Sequence, residues 1–131
     1  MLESYSSICV AGTHGKSTTT GILGQVLSLQ DECAYLIGDG HGYMPEHANH
    51  FVLESCEFQR HFLAYHPDYA IITNIELDHI DYYKDIDDYV SAFQSFADQV
   101  KKTHCRIWRQ RTLEEFALQR TCDNIWYEGW K

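Results

Sequence analysis

The chain has 131 residues, 44% of them hydrophobic, which allows one domain with a real core and hardly two. Ten Lys and Arg stand against nineteen Asp and Glu, a formal charge of −9, which argues against a general binder of nucleic acid or anionic lipid. No run approaches the ~20 apolar residues of a membrane span, and the N-terminus MLESYSSICVAG lacks the features of a signal peptide. The expectation is a cytoplasmic protein with no nucleic-acid or membrane partner.

Ser7–Ala11 (SICVA) is apolar and reads as a short buried strand. GTHGKSTTT follows, and residues 21–30 bring Ile22, Leu23, Val26, Leu27 and Leu29 close to a helical stripe. Ala34–Ile37 reads as a second strand, and Gly38–Asn49, with three glycines and a proline, as a loop. Phe51–Ser55 reads as a strand carrying Glu54 near its end. Phe58–Tyr65 reads as a short helix stopped by Pro67. Tyr69–Thr73 (YAIIT) is another buried strand, and NIELDHIDYYKD after it a polar loop. In Ile86–Val100 the residues Ile86, Tyr89, Val90, Phe93, Phe96, Ala97 and Val100 share one helical face. Asp85, Asp87 and Asp88 stand at its start, where the helix dipole favours negative charge. Strands alternating with helices predict an α/β fold with a mostly parallel sheet flanked by helices.

The five cysteines, Cys9, Cys33, Cys56, Cys105 and Cys122, form no CxxC pair and read as reduced, mostly buried thiols. His47 and His50 lie three apart, but no second ligand pair follows at zinc-site spacing.

The strongest local signal is Gly12-Thr13-His14-Gly15-Lys16-Ser17, set between a strand and a helix. A polyphosphate needs converging backbone N–H groups, and glycine lets the backbone approach closely. The following helix adds its N-terminal partial charge, Lys16 a full one, and the Ser17 hydroxyl a ligand for Mg²⁺. The longer GxxxxGK[ST] pattern would need glycine where Val10 stands, so the match is to GxxGKS. Glu54 at a strand end, and Asp78-His79 in the loop after Tyr69–Thr73, would reach the same carboxyl edge of the sheet. Lysine, hydroxyl, carboxylate and imidazole meeting there would make a Mg²⁺–nucleotide site.

GTHGKSTTT, VLESCE and HPDYAIITNIELDHIDYY, in that order, resemble the ATP-binding central domain of the Mur ligases over about residues 3–100. The fold this implies is P-loop NTPase-like. The branch resembled most joins L-alanine to UDP-N-acetylmuramate in peptidoglycan synthesis, through an acyl phosphate formed from ATP. Carried over to this chain, Gly12, Thr13, His14, Gly15, Lys16, Ser17 and Thr18 would bind ATP. Ser17, Glu54 and His79 would hold Mg²⁺, and Lys16, Glu54 and His79 would serve catalysis. His61 and Arg60 are candidates to face the muramoyl substrate. A peptide-recycling ligase of the same family stays open as an alternative.

Complete ligases of this kind have three domains, and the resemblance assigns residues 1–102 to part of the central one. Ligation by this chain alone is therefore not expected. A fragment that holds Mg²⁺–ATP without turnover, or a remnant of a broken gene, are the other readings. Residues 1–100 hold three basic side chains against fifteen acids, and residues 101–131 seven against four, together with all three tryptophans. Read one nucleotide forward, the degenerate codons permit A-Y-G-D-x-E-x-L-R over Cys105–Glu115 and P-V-T-I-Y-G-M-K-D-G over Thr121–Lys131. Both strings resemble the family's continuation. The expectation is that residues 103–131 are an atypical tail of frameshifted origin, in which Leu113–Gln119 forms a turn of helix and Trp126–Trp130 an exposed apolar patch.

Overall fold

The computed structural model describes residues 4–102 and two further short strands. In chain order the elements are β1 (Ser6–Ala11), α1 (Lys16–Ser28), β2 (Cys33–Leu36), β3 (Gly42–Tyr43) and β4 (His50–Glu54). A 3₁₀ segment (Phe58–Ala64), β5 (Tyr69–Ile72), α2 (Ile86–Asp98), β6 (Cys105–Ile107) and β7 (Ile125–Trp126) follow. The strands form one sheet in the order β3-β2-β4-β1-β5-β6-β7. Every pairing is parallel except β2 with β3. The α/β class with a mostly parallel sheet is the one the sequence predicts.

The register follows from burial. In β1, Cys9 lies opposite Leu53 of β4 and Ala70 of β5, and Cys9, Val10 and Ala11 are all fully buried. A parallel strand covered on both faces has no polar side to present, so it reads as an unbroken apolar run. Burial pushes the Cys9 thiol up to about 11, so it remains a thiol at neutral pH. Cys9 and Cys33 are buried, and Cys56 is exposed. No helix among the described residues is long and apolar enough to cross a membrane.

Helix α2 covers one face as its periodicity requires, burying Tyr89, Val90, Ala92, Phe93, Phe96 and Ala97. Phe62 of the 3₁₀ segment stacks on Phe96 at 4.8 Å and meets Phe93 edge-on at 5.2 Å. The Asp85 side chain caps the helix by accepting the Asp88 N–H at 2.8 Å. Asp85→Ala should cost about 1 kcal/mol, measurable as a lower urea midpoint with an unchanged slope.

Three segments depart from the sequence reading. Helix α1 buries only part of the expected stripe: Leu23 and Leu27 pack inward, while Ile22, Val26 and Leu29 are exposed. Its inner face is Thr20, Leu23, Gly24 and Leu27, the true i, i+3, i+4, i+7 set. A Cβ at Gly24 would come within 2.7 Å of the Tyr35 ring, so helix and sheet approach too closely there for a larger residue. The loop Gly38–Asn49 contains β3, whose two residues are too few for any alternation to show. Phe58–Ala64 is a 3₁₀ segment broken at Gln59 and Arg60, with φ of 50° and 60°. Seven residues are too short to sustain an α-helix unaided, and the burial of Phe62 sets the path of the chain instead. The expectations placed on residues 103–131, the strand bounds of β6 and β7 aside, lie outside the described residues.

Candidate functional site

Strands β4, β1 and β5 are neighbours, and the chain passes from β4 across β1 to β5. In open α/β sheets ligands bind beyond the carboxyl ends of the strands, where the strand order reverses direction. Three chemically rich segments leave the sheet at that edge: residues 12–15 after β1, 54–57 at the end of β4, and 73–79 after β5.

The loop after β1 is shaped by two glycines for two different reasons. Gly12 has φ 132°, and a Cβ there would lie 2.1 Å from Thr73 Oγ1 and 3.0 Å from the Thr73 backbone nitrogen. Gly15 has φ 80° with open space around it, so only its backbone conformation demands glycine. Gly12→Ala must push the loop off β5 and should cost about 1–3 kcal/mol, together with the shape of the loop. Thermal melts and nucleotide titration of that variant would check both.

The loop is tied to the segment after β5. The Thr13 and His14 N–H groups donate to the Asn74 carbonyl and Asn74 Oδ1 at 3.1 and 3.0 Å. The Thr73 hydroxyl and the Asn74 side-chain amide donate back to the His14 carbonyl. The Thr13 hydroxyl donates to the Glu76 carbonyl at 2.9 Å and accepts the Glu76 N–H at 3.0 Å. Its single proton is thereby used, so Tyr89 of α2, 2.9 Å away, must donate to it. Burial holds the Tyr89 phenol above its ordinary pKa, which keeps that proton in place.

Gly15 is the N-cap of α1 and no side chain caps the helix there. Thr19 N–H is bonded to Gly15 C=O at 3.0 Å, so the amides of Lys16, Ser17 and Thr18 precede the helical ladder. Ser17 and Thr18 are exposed. His14 is exposed too, with Nε2 3.7 Å from Glu76 Oε2.

Lys16 folds back over the loop. Its Nζ donates to the carbonyls of Gly12 at 2.6 Å and Thr13 at 3.2 Å, and pairs with Glu57 Oε2 at 2.9 Å. Glu57 is 1% exposed, the one buried charged side chain among the described residues. Its other oxygen, Oε1, lies 3.4 Å from His79 Nε2. The His79 ring packs on Phe58 at 4.8 Å, and its backbone takes φ 53°, an uncommon conformation of the kind that gathers at functional sites. The Glu57 carbonyl accepts the Tyr83 hydroxyl, whose pKa burial pushes up to about 12.

Lys16 and His79 are thus brought together, as the sequence predicts, but through Glu57, which sequence reasoning passed over. The available signal was a second acid three residues after Glu54 in ESCEF, followed by an aromatic residue. Glu54 is half-buried, and its Oε2 accepts the Gly38 N–H at 2.8 Å; neither Lys16 nor His79 pairs with it. Asp78 Oδ1 accepts the His79 N–H at 2.7 Å. Arg60 pairs with Asp88 at 2.6 Å and lies over the Tyr83 ring, so it braces α2. Among the described residues no three His, Cys, Asp or Glu side chains form a ready-made metal cluster.

The profile of the Mur ligase middle domain matches residues 10–125. The UDP-N-acetylmuramate–L-alanine ligase of Pediococcus pentosaceus is 60% identical over 102 residues, 78% of this chain and 23% of that protein. The chain therefore spans about a quarter of the length of the curated relatives it matches. The solved UDP-N-acetylmuramate–alanine ligase of Thermotoga maritima is 30% identical, with a TM-score of 0.64 over 80% of this chain and 26% of that one. A MurF ligase from the same organism, solved in complex with ADP, shares the fold at a TM-score of 0.70 and 17% identity, over 93% of this chain and 31% of that one. The profile spans most of the sequence, so the chain belongs to the Mur ligase family, as a middle domain.

Proposed function

We propose that this chain is the ATP-binding part of a cytoplasmic ligase that joins L-alanine to UDP-N-acetylmuramate in peptidoglycan synthesis. The observation that carries the proposal is the 60% identity to a ligase of that name. The donor set fits a polyphosphate: three amides precede the helical ladder of α1 beside the Lys16 ammonium. It also suits a hard divalent cation. Ser17 offers an exposed hydroxyl, and Glu54 spends one carboxylate oxygen on Gly38 and keeps the other; the imidazole of His79 joins them by the family resemblance. Ser17, Glu54 and His79 are the residues proposed to hold Mg²⁺, which when bound would neutralise charge on the transferring phosphoryl group.

The chain's own part in the reaction is electrostatic and positional. Gly12, Thr13, His14 and Gly15 shape the cradle, and the amides of Lys16, Ser17 and Thr18 face the phosphates. Lys16 offsets the charge on the γ-phosphoryl oxygens as they pass to the muramoyl carboxylate, leaving ADP and an acyl phosphate. The amine of L-alanine then attacks the acyl carbon and expels phosphate, giving the amide. Groups held in place before the reaction lower its barrier without reorganising during it. Acyl transfer also requires carboxylate and amine held in line. The described residues build one cradle, so we propose that the isolated chain binds Mg²⁺–ATP and does not ligate.

Calorimetric titration of the chain with ATP and Mg²⁺ tests the binding, with Lys16→Ala as the control that should not bind. Phosphate release with UDP-N-acetylmuramate, L-alanine and ATP tests turnover. A Lys16→Ala variant that binds ATP as well as the parent would overturn the cradle assignment. The proposal keeps residues 1–102 as the domain part. The encoding DNA across codons 103–131 tests the shifted-frame origin of the tail.

A further inference from the structure

Glu57 has no place in the machinery assigned above, yet it is the buried charge at its centre. Its carboxylate is 1% exposed and lies 2.9 Å from the Lys16 ammonium, which also serves two loop carbonyls. The lysine that would receive a polyphosphate is therefore already neutralised. Among the described residues no other Lys or Arg pairs with Glu57 or reaches the loop: Arg60 is committed to Asp88, and Lys84 is exposed with its backbone N–H on the same Asp88. The other charged side chains described around the cradle are acidic, with Glu54 at Gly38, Glu76 beside His14, and Asp78 next to His79. His79 and the phenols of Tyr83 and Tyr89 also face Glu57, and both phenols are held neutral. A bare nucleoside triphosphate, with about four negative charges, would thus gain no net positive charge from the described residues of the cradle except the partial charge of the α1 N-terminus.

We propose that Glu57 makes nucleotide binding conditional on a divalent cation, by cancelling Lys16 until a cation arrives with the triphosphate. The inference rests on the reading of the loop as an ATP cradle, and it assigns Glu57 a positioning and gating role. At a few ångströms in a partly buried site, one carboxylate charge is worth at least about tenfold in the affinity of a polyanion. In Glu57→Gln the shape is kept and the charge removed. Lys16 keeps its two carbonyl acceptors and loses only its counter-ion, so its ammonium stays hydrogen-bonded.

The test is the ATP dissociation constant of the full chain, measured in Mg²⁺ and in excess EDTA. The parent should bind at least about tenfold more weakly in EDTA. Glu57→Gln should gain about tenfold in EDTA and change by less than about threefold in Mg²⁺, so that most of the cation dependence disappears. A merely structural role for Glu57 would weaken binding under both conditions together, and that result overturns the inference. So does a parent chain that binds ATP within about threefold in the two conditions, a measurement that needs no variant. A parent that does not bind ATP even with Mg²⁺, or that binds no better than Lys16→Ala, overturns the cradle reading and this inference with it.

Discussion

Lys16→Ala is expected to destabilise the fold by about 3–5 kcal/mol, because it strands a buried carboxylate. Glu57 is 1% exposed, and Lys16, itself only 13% exposed in its side chain, is its nearest cation. With the lysine gone, the charge keeps one weaker partner, His79 at 3.4 Å. Urea unfolding should show the loss as a lower midpoint. The double variant Lys16→Met/Glu57→Gln separates the two roles of the lysine. It should recover most of the stability, since removing both charges of a buried pair is often nearly neutral, and it should still fail to bind ATP. A double variant as unstable as the single one would show that Glu57 is not the cause.

Phe62→Ala should be comparably severe for a different reason. Its ring is fully buried and stacked on Phe96 with its edge to Phe93. Truncating a buried phenylalanine typically costs about 3–5 kcal/mol, from lost transfer energy and the cavity left behind. Against a total stability of about 5–15 kcal/mol for a domain, that is enough to populate unfolded chains at growth temperature. Because Phe62 also anchors the 3₁₀ segment to α2, the lesion should loosen the path that positions Glu57. Phe62→Leu should restore part of the loss, and calorimetry of the three proteins would order them.

The parts of this fold that could be read in the sequence are those governed by one periodicity. Strands β1, β4 and β5 are short apolar runs because both faces are covered, and α2 shows a clean helical face because one side is wet. Helix α1 misled because two of its four inner positions are Thr20 and Gly24, neither of them hydrophobic, and Gly24 is there for its closeness to Tyr35. The need for glycine at Gly15 was legible because it is local: only its own backbone conformation demands it. Glu57 was not, because its meaning depends on two partners, forty-one residues before it and twenty-two after, that only the sheet order brings together. Nothing in the sequence shows that Asp88 of α2 folds over to meet Arg60, a pairing that only the packing of α2 on the 3₁₀ segment creates.

The ties between residues 13–14 and residues 73–76 have a consequence for how this protein breathes. The amides of Thr13 and His14 are held by Asn74, and the Thr13 hydroxyl by Glu76. Their exchange with solvent deuterium should therefore follow the opening of the segment after β5, even though α1 is the nearer neighbour in the chain. Parts of a protein that open together form one cooperative unit. Here that unit joins the loop after β1 to the loop after β5 across the sheet edge, so a perturbation at Asn74 should be felt first as lost protection at Thr13 and His14.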